Sequence, residues 1–178
     1  MDRSVVIAGF GGQGVILAGK ILAQAGMDHG LEVTWLPSYG PEMRGGTANC
    51  TVVLSDQPVG SPIVDEPTSL IALNLPSLDK FEPTLAADAV ALINESLIER
   101  KATRDDITAV YAPLNELAVK LGNPRALNMV ALGAYLKATG VVPLDVVIAT
   151  MTRTMEASGK GRFIEMNRQA LEEGYNAV

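Results

Sequence analysis

The chain opens with a short apolar run, a glycine-rich turn and a long apolar segment, in direct succession. Residues 4–8 are rich in β-branched side chains, which is typical of a buried parallel strand. Gly9, Gly11 and Gly14 follow with the spacing G-x-G-x-x-G, and residues 15–27 are predicted to form a helix. This order predicts an α/β fold in which the first helix lies close against a sheet.

The same alternation continues through two thirds of the chain. A second strand is predicted at residues 31–36, where Pro37 breaks the pattern. Further strands are predicted at 47–55, 59–64, 69–74, 89–94 and 107–111, with a short helix near 77–85. The last third is predicted to be helical, at 114–121, 126–139, 144–157 and 163–175. Without a repeat or a long linker, residues 1–178 are expected to form a single three-layer Rossmann-like domain with a mostly parallel sheet and a helical C-terminal third.

Composition excludes several classes of function. The chain is 48% hydrophobic and carries a net charge of −6 without a basic cluster, so we expect no nucleic-acid partner. It has one cysteine, Cys50, and one histidine, His29. These exclude an internal disulfide, a four-cysteine iron–sulfur site and a zinc site built from His and Cys. No signal peptide or membrane-length apolar stretch is apparent, so we expect no membrane partner and a cytoplasmic location.

The glycine loop leaves two interpretations open. Between a strand and a helix it is suited to hold a phosphate, because glycines allow close backbone approach and the helix N-terminus attracts anions. A dinucleotide site also needs an acidic residue at the end of the second strand, where this chain has Leu36, Pro37 and Ser38. Glu32 begins that strand, so it lies at the wrong end. The alternative is a purely structural turn, although the polar Gln13 favours a contact with a ligand or a neighbouring loop.

A second loop, residues 38–46, is expected beside the first, because the carboxyl ends of parallel strands share one edge of the sheet. Its Arg44 could bind a carboxylate, a phosphate or an acidic partner, or could pair locally with Glu42. A short basic segment provides Lys160 and Arg162 as candidate phosphate contacts. No catalytic or metal-binding residue is predicted. The candidate ligand or interface residues of the two loops are Gly9, Gly11, Gly12, Gln13, Gly14, Ser38, Tyr39, Glu42, Arg44, Gly45 and Gly46.

Residues 9–15 (GFGGQGV) and 37–50 (PSYGPEMRGGTANC) together resemble the gamma subunit of 2-oxoacid:ferredoxin oxidoreductases, the pyruvate/ketoisovalerate oxidoreductase family. The segments 60–62, 74–81, 94–98 and 159–161 fit the same family, so the resemblance covers essentially the whole chain. It is strongest to the 2-oxoglutarate-type enzyme. The pyruvate, branched-chain ketoacid and indolepyruvate relatives share the glycine loop.

The resemblance implies a role in a hetero-oligomeric complex with alpha, beta and in some cases delta subunits. Such a complex converts a 2-oxoacid, coenzyme A and oxidised ferredoxin into acyl-CoA, carbon dioxide and reduced ferredoxin. Thiamine diphosphate, magnesium and iron–sulfur clusters would lie in the partner subunits, and coenzyme A is a co-substrate. The chain alone would bind no cofactor and be inactive, with an accessory, assembly or coenzyme A-proximal role.

Two other functions remain open from the residues themselves. The glycine loop is also compatible with a stand-alone nucleotide-binding module or a small NAD-dependent oxidoreductase, although the missing acidic residue argues against it. A scaffold that binds only protein is the third interpretation. Cys50 is expected to be a small buried hydrophobe, and Asn94 is expected to bond to neighbouring loops.

Overall fold

The structure is a computed structural model that describes residues 1–39 and 46–178. Six strands form one sheet in the order β2-β3-β1-β4-β5-β6. The strands are β1 (Asp2–Phe10), β2 (Glu32–Tyr39), β3 (Thr47–Ser55), β4 (Ser69–Ala72), β5 (Val90–Asn94) and β6 (Thr108–Ala112). The helices are α1 (Val15–Asp28), α2 (Leu75–Phe81), α3 (Leu114–Lys120), α4 (Leu127–Thr139), α5 (Leu144–Ala157) and α6 (Ile164–Asn176).

The predicted α/β class is confirmed, and the sheet is mostly parallel. Strands β1, β4, β5 and β6 pair in parallel, whereas β3 is antiparallel to both β1 and β2. Since β3 is antiparallel to both of its neighbours, β2 runs in the same direction as β1, although these two strands are not adjacent. The ends of β1 and β2 therefore reach the same edge of the sheet, which we call the carboxyl edge.

Alternate residues of β1 enter two different cores, because successive side chains of a strand point to opposite faces. Val5 and Ile7 pack against the layer formed by α1, α3, α4, α5 and α6. Val6 and Ala8 pack on the opposite face, where α2 contributes Leu78. Because each face of the central strands is covered, these strands read in the sequence as continuous apolar runs.

Two sequence predictions about the early strands are wrong. Residues 59–64 form no strand, because the segment after Ser55 is an irregular connection to β4. The second strand does not end at Pro37 but continues to Tyr39. A proline lacks the N–H that a central strand needs, yet β2 lies at the edge of the sheet and pairs on one side only, where this loss is tolerated.

The remaining elements lie within a few residues of their predicted bounds. The helix expected near 77–85 is α2 followed by a 3-10 turn, Glu82–Thr84. Short 3-10 turns also precede α4 and α6, at Pro124–Ala126 and Gly161–Phe163. None of the described helices combines the length and the apolar character needed to cross a membrane.

Helices α4 and α6 cross in backbone contact, and glycines make this possible. A Cβ atom on Gly133 would lie 2.0 Å from the Leu171 carbonyl oxygen, and one on Gly174 would lie 1.9 Å from the Val130 carbonyl oxygen. Both neighbours are backbone atoms of packed helices, so they cannot move aside without separating the helices.

Gly174→Ala should therefore destabilise the protein, despite the better helix propensity of alanine. Overpacking of this kind costs about 3 kcal/mol, which lowers the Tm of a chain of this size by roughly 6–12 °C. Gly60→Ala is the matched control, since a Cβ there meets no atom within 4 Å. Differential scanning calorimetry compares the two, and equal Tm values would contradict the close helix crossing.

A buried carboxylate fixes the connection between β5 and β6. Glu82 is 1% exposed, and it accepts hydrogen bonds from Arg100 Nη1 at 2.9 Å, from Thr103 Oγ1 at 3.1 Å and from the Arg104 N–H at 3.1 Å. Burial opposes ionisation of this group, but the hydrogen bonds from Arg100, Thr103 and Arg104 outweigh it and lower the pKa of Glu82 below its usual value.

Glu82→Gln should cost about 2–3 kcal/mol at pH 7, because a neutral amide replaces the buried carboxylate that accepts charge-assisted hydrogen bonds from Arg100, Thr103 and Arg104. A lowered folded-state pKa stabilises the protein above the unfolded pKa of about 4.3, and this contribution is lost as the pH falls through the folded value. The difference between wild type and variant should therefore shrink below about pH 4. Urea unfolding from pH 3 to 7 measures it. Glu165→Gln, at an exposed ion pair with Arg168, should change little at any of these pH values.

Candidate functional site

The glycine loop forms the turn from β1 into α1 at the carboxyl edge. Gly12 and Gly14 have φ angles of 91° and 78°, in the left-handed region that favours glycine. Gly14 is also the N-cap of α1 and has no room for a side chain, because a Cβ there would lie 2.6 Å from Asn128 Nδ2. Gly12 has open space around its Cα, so only its backbone conformation requires glycine.

Three hydrogen bonds hold this loop in its conformation. Gln13 Oε1 accepts from the Phe10 N–H at 2.6 Å, and the Gly11 N–H donates to the Gly46 carbonyl oxygen at 2.8 Å. Asn128 Nδ2 donates to the Gly14 carbonyl oxygen at 3.2 Å. The polar Gln13 side chain therefore bonds within its own loop, whereas the sequence favoured a contact with a ligand or a neighbouring loop. The contact with Gly46 places the start of β3 beside the glycine loop.

A cavity of about 590 Å³ opens between this loop, the first half of α1 and the β2–β3 pair. This volume lies within the usual range for small-molecule sites. The lining is mostly apolar, and Lys20 is its one charged side chain among the described residues. The lining residues are Phe10, Gly11, Gly12, Gly14, Val15, Ile16, Leu17, Lys20, Trp35, Tyr39, Gly46, Thr47 and Ala48.

The N-terminus of α1 gives the cavity a polar end. The helix begins at Val15 with neither a side-chain cap nor an acidic residue in its first turn. Its first amide groups have no partner within the helix, and the helix dipole adds partial positive charge there. Val15, Ile16 and Leu17 all line the cavity. This end is therefore suited to a negatively charged group, with Lys20 one turn further along α1.

The predicted site residues divide between this cavity and other places. Gly11, Gly12, Gly14, Tyr39 and Gly46 line it. Gly9 and Gln13 belong to the loop but do not line the cavity, and a Cβ on Gly9 would lie 2.5 Å from Gln13 Oε1. Ser38 is exposed in β2 and is not part of the lining. Glu42, Arg44 and Gly45 lie outside the described residues, so their roles stay predictions.

Lys160 and Arg162 lie on the connection between α5 and α6, outside the lining of the cavity. The Arg162 guanidinium stacks on the Phe163 ring at 4.7 Å. A second groove, of about 550 Å³, runs between α1 and α5 and ends at Ser158, close to this connection in the chain. Lys20 lines both the cavity and the groove.

Among the residues of this region that sequence reasoning missed, three side chains bear on its chemistry and support. Lys20 and Trp35 line the cavity, and Asn128 supports the glycine loop from α4. Trp35 is the single tryptophan of the chain. A signal for Asn128 was present, because it is a polar residue within the long apolar stretch that became α4 and is 6% exposed.

The other polar residues of interest have structural roles. Asn94 ends β5, where its Nδ2 donates to the Leu73 carbonyl oxygen at 3.0 Å and its Oδ1 accepts from the Leu114 N–H at 3.1 Å. The prediction that Asn94 bonds to neighbouring segments is confirmed. Glu32 begins β2 opposite Ser55, at the edge away from the glycine loop. Residues 36–39, the described end of β2, include no acidic side chain.

Cys50 is a buried hydrophobe, as predicted. Its side chain is fully buried, and Sγ lies 3.4 Å from the Val15 carbonyl oxygen. Burial raises the pKa of the Cys50 thiol to about 12. The thiol therefore stays protonated near neutral pH, and a protonated, inaccessible thiol is neither a nucleophile nor a metal ligand.

Native protein at pH 8 should thus react with iodoacetamide far more slowly than a free cysteine, and protein unfolded in guanidinium chloride should be alkylated completely. Mass spectrometry over a time course measures both. Rapid alkylation of the native protein would contradict the burial of Cys50.

Residues 4–177 match the family model described as pyruvate ferredoxin/flavodoxin oxidoreductase. The chain belongs to this family. It is 42% identical to the ketoisovalerate oxidoreductase subunit VorA of Methanothermobacter thermautotrophicus, an alignment that covers 96% of this chain and 35% of that protein. The chain thus spans about a third of the length of this relative.

Relatives of similar length include a subunit that is named gamma. The 2-oxoglutarate synthase subunit KorC of Methanocaldococcus jannaschii is 34% identical, with 100% of this chain and 95% of KorC covered. The crystal structure of the keto/oxoacid ferredoxin oxidoreductase gamma subunit from Geobacter sulfurreducens superimposes with a TM-score of 0.85 at 30% identity, covering 99% of this chain and 96% of that one. The resemblance to gamma subunits is therefore confirmed.

Proposed function

We propose that this chain is the gamma component of a multisubunit 2-oxoacid:ferredoxin oxidoreductase. The complex would convert a 2-oxoacid, coenzyme A and oxidised ferredoxin into acyl-CoA, carbon dioxide and reduced ferredoxin. The observation that carries the proposal is the similarity to gamma-type subunits over nearly the whole length of both chains. Residues 1–178 would act as one domain of that complex.

The redox and carbon–carbon chemistry is assigned to partner subunits. Cys50 is the only cysteine of the chain, and it is buried as a thiol, so the chain cannot provide the thiolates of an iron–sulfur cluster. The clusters, thiamine diphosphate and magnesium would therefore be held by alpha, beta and, where present, delta subunits. Electrons would reach ferredoxin through those subunits.

The cavity supports a coenzyme A-proximal role for this chain. Coenzyme A combines an apolar, flexible arm with phosphate groups, and the cavity combines an apolar lining with the positive end of α1 and Lys20. Lys160 and Arg162 are proposed as further phosphate contacts, since the groove beyond Lys20 ends close to their segment in the chain. Arg44 is proposed to contact an anion or a partner chain.

The first 2-oxoacid to test is 2-oxoglutarate, because KorC matches this chain over nearly all of its own length. Ketoisovalerate is the second candidate, because the VorA relative has the higher identity. Co-expression with the partner subunits, followed by a viologen reduction assay with each acid and coenzyme A, separates the two.

The assembled complex should reduce viologen with one of these acids, and the chain alone should not, because it lacks cluster ligands. Turnover by the pure chain would overturn the accessory role. A complete complex that turns over none of the family's 2-oxoacids would overturn the proposed function.

Binding of coenzyme A can be followed through Trp35, the single tryptophan, because it lines the cavity. Titration of coenzyme A should change its fluorescence, whereas NAD should not. Lys20→Ala should weaken binding about fivefold, the effect of losing one charge-assisted contact of about 1 kcal/mol. Lys120→Ala removes an equal charge from an exposed pair with Glu173, and it should leave the affinity unchanged. Tighter binding of NAD than of coenzyme A would favour a nucleotide-binding module instead.

A further inference from the structure

Asn128 is a buried amide in an otherwise apolar part of α4. It is 6% exposed, and its neighbours Leu127, Met129 and Val130 are buried apolar residues. A buried amide costs free energy unless its polar atoms are hydrogen-bonded. Asn128 Nδ2 donates to the Gly14 carbonyl oxygen at 3.2 Å, and its Oδ1 accepts from the Met129 N–H at 3.0 Å. The Asn128 side-chain oxygen therefore bonds within α4, and its nitrogen bonds to the glycine loop, 114 residues away in the chain.

The Gly14 carbonyl is held from two directions. It accepts from Asn128 and also from the Ala18 N–H at 3.1 Å, the first hydrogen bond of α1. The peptide group between Gly14 and Val15 is planar, so fixing its carbonyl oxygen also fixes the direction of the Val15 N–H. That N–H is the first amide of α1, and Val15 lines the cavity.

The other two hydrogen bonds that hold the glycine loop do not involve this peptide. Gln13 holds the Phe10 N–H, and Gly46 holds the Gly11 N–H. Among the side chains of residues 1–39 and 46–178, Asn128 alone is hydrogen-bonded to the Gly14–Val15 peptide. The space is also tight, since Asn128 Cγ lies 2.8 Å from the position of a Cβ on Gly14.

We propose that Asn128 is a positioning residue: it sets the orientation of the Gly14–Val15 peptide and thereby the affinity of the cavity for its ligand. The consequence for coenzyme A rests on the proposed function. Asn128 is not part of the cavity lining, so it would act through the loop.

Asn128→Asp is the sharpest variant, because it removes the donor and keeps an oxygen that can accept from the Met129 N–H. Asn128→Ala is the second variant, and it removes the donor without adding a charge. Asn167→Asp is the matched control, since Asn167 Nδ2 donates to the Phe163 carbonyl oxygen at 2.9 Å in α6, with no contact to the loop.

In the full chain, hydrogen exchange of the amides of residues 9–17 should become at least tenfold faster in both Asn128 variants and remain unchanged in Asn167→Asp. In the assembled complex, the KM for coenzyme A should rise about tenfold in both variants. The kcat and the KM for the 2-oxoacid should stay within twofold of wild type, which a general loss of stability would not produce.

Unchanged exchange together with an unchanged KM for coenzyme A would overturn the positioning role. A KM that rises only in Asn128→Asp would also overturn it, because charge repulsion would then be the cause. Faster exchange in a complex that is inactive even as wild type would support the loop-positioning role and count against the proposed function instead.

Discussion

The close approach of α1 to the β2–β3 pair determines the geometry of the candidate site. A Cβ on Gly19 would lie 2.3 Å from Cys50 Sγ, and one on Gly26 would lie 2.2 Å from Leu54 Cδ2. Two glycines on one face of the helix thus let its backbone lie almost on the side chains of β3. Trp35 lies against the same face, with Nε1 3.2 Å from a Cβ position on Gly19. The cavity lies next to these contacts, where Trp35 and the α1 residues Val15, Ile16, Leu17 and Lys20 line it.

Two helices of the C-terminal third hold α1 in this position. Helix α5 is tied to the end of α1 by Asp28, which accepts hydrogen bonds from Thr150 and Arg153, and these bonds lower the pKa of Asp28. Helix α4 reaches the start of α1 through Asn128. The two ends of α1 are therefore held by different helices, and the backbone contact at Gly133 and Gly174 connects α4 to α6. The C-terminal helices therefore cover one face of the sheet and also set the position of the glycine loop.

Much of the fold could be predicted because it depends on local pattern. Mostly apolar runs bounded by turn residues identified all six strands, each end to within three residues of its bound. The neighbour relations could not be predicted, since pairing of β3 between β1 and β2 is a long-range choice that leaves no local signal. Residues 59–64 show the converse error, because Gly60, Ser61 and Pro62 interrupt the apolar residues and the segment pairs with no other strand. Pro37 shows that a residue's effect depends on whether its strand lies at an edge.

The candidate site was predictable where it depended on backbone conformation. Gly12 and Gly14 occupy left-handed conformations, and glycine is the signal that such positions leave in a sequence. The support from Asn128 depends on a contact across 114 residues, which spacing cannot reveal. Three side chains that could carry acid–base chemistry are committed elsewhere, since Glu82 pairs with Arg100, Asp28 pairs with Arg153 and Cys50 is a buried thiol. The described lining of the cavity combines apolar surface, the start of α1 and one lysine, and this combination favours the proposed binding of a co-substrate over catalysis by this chain.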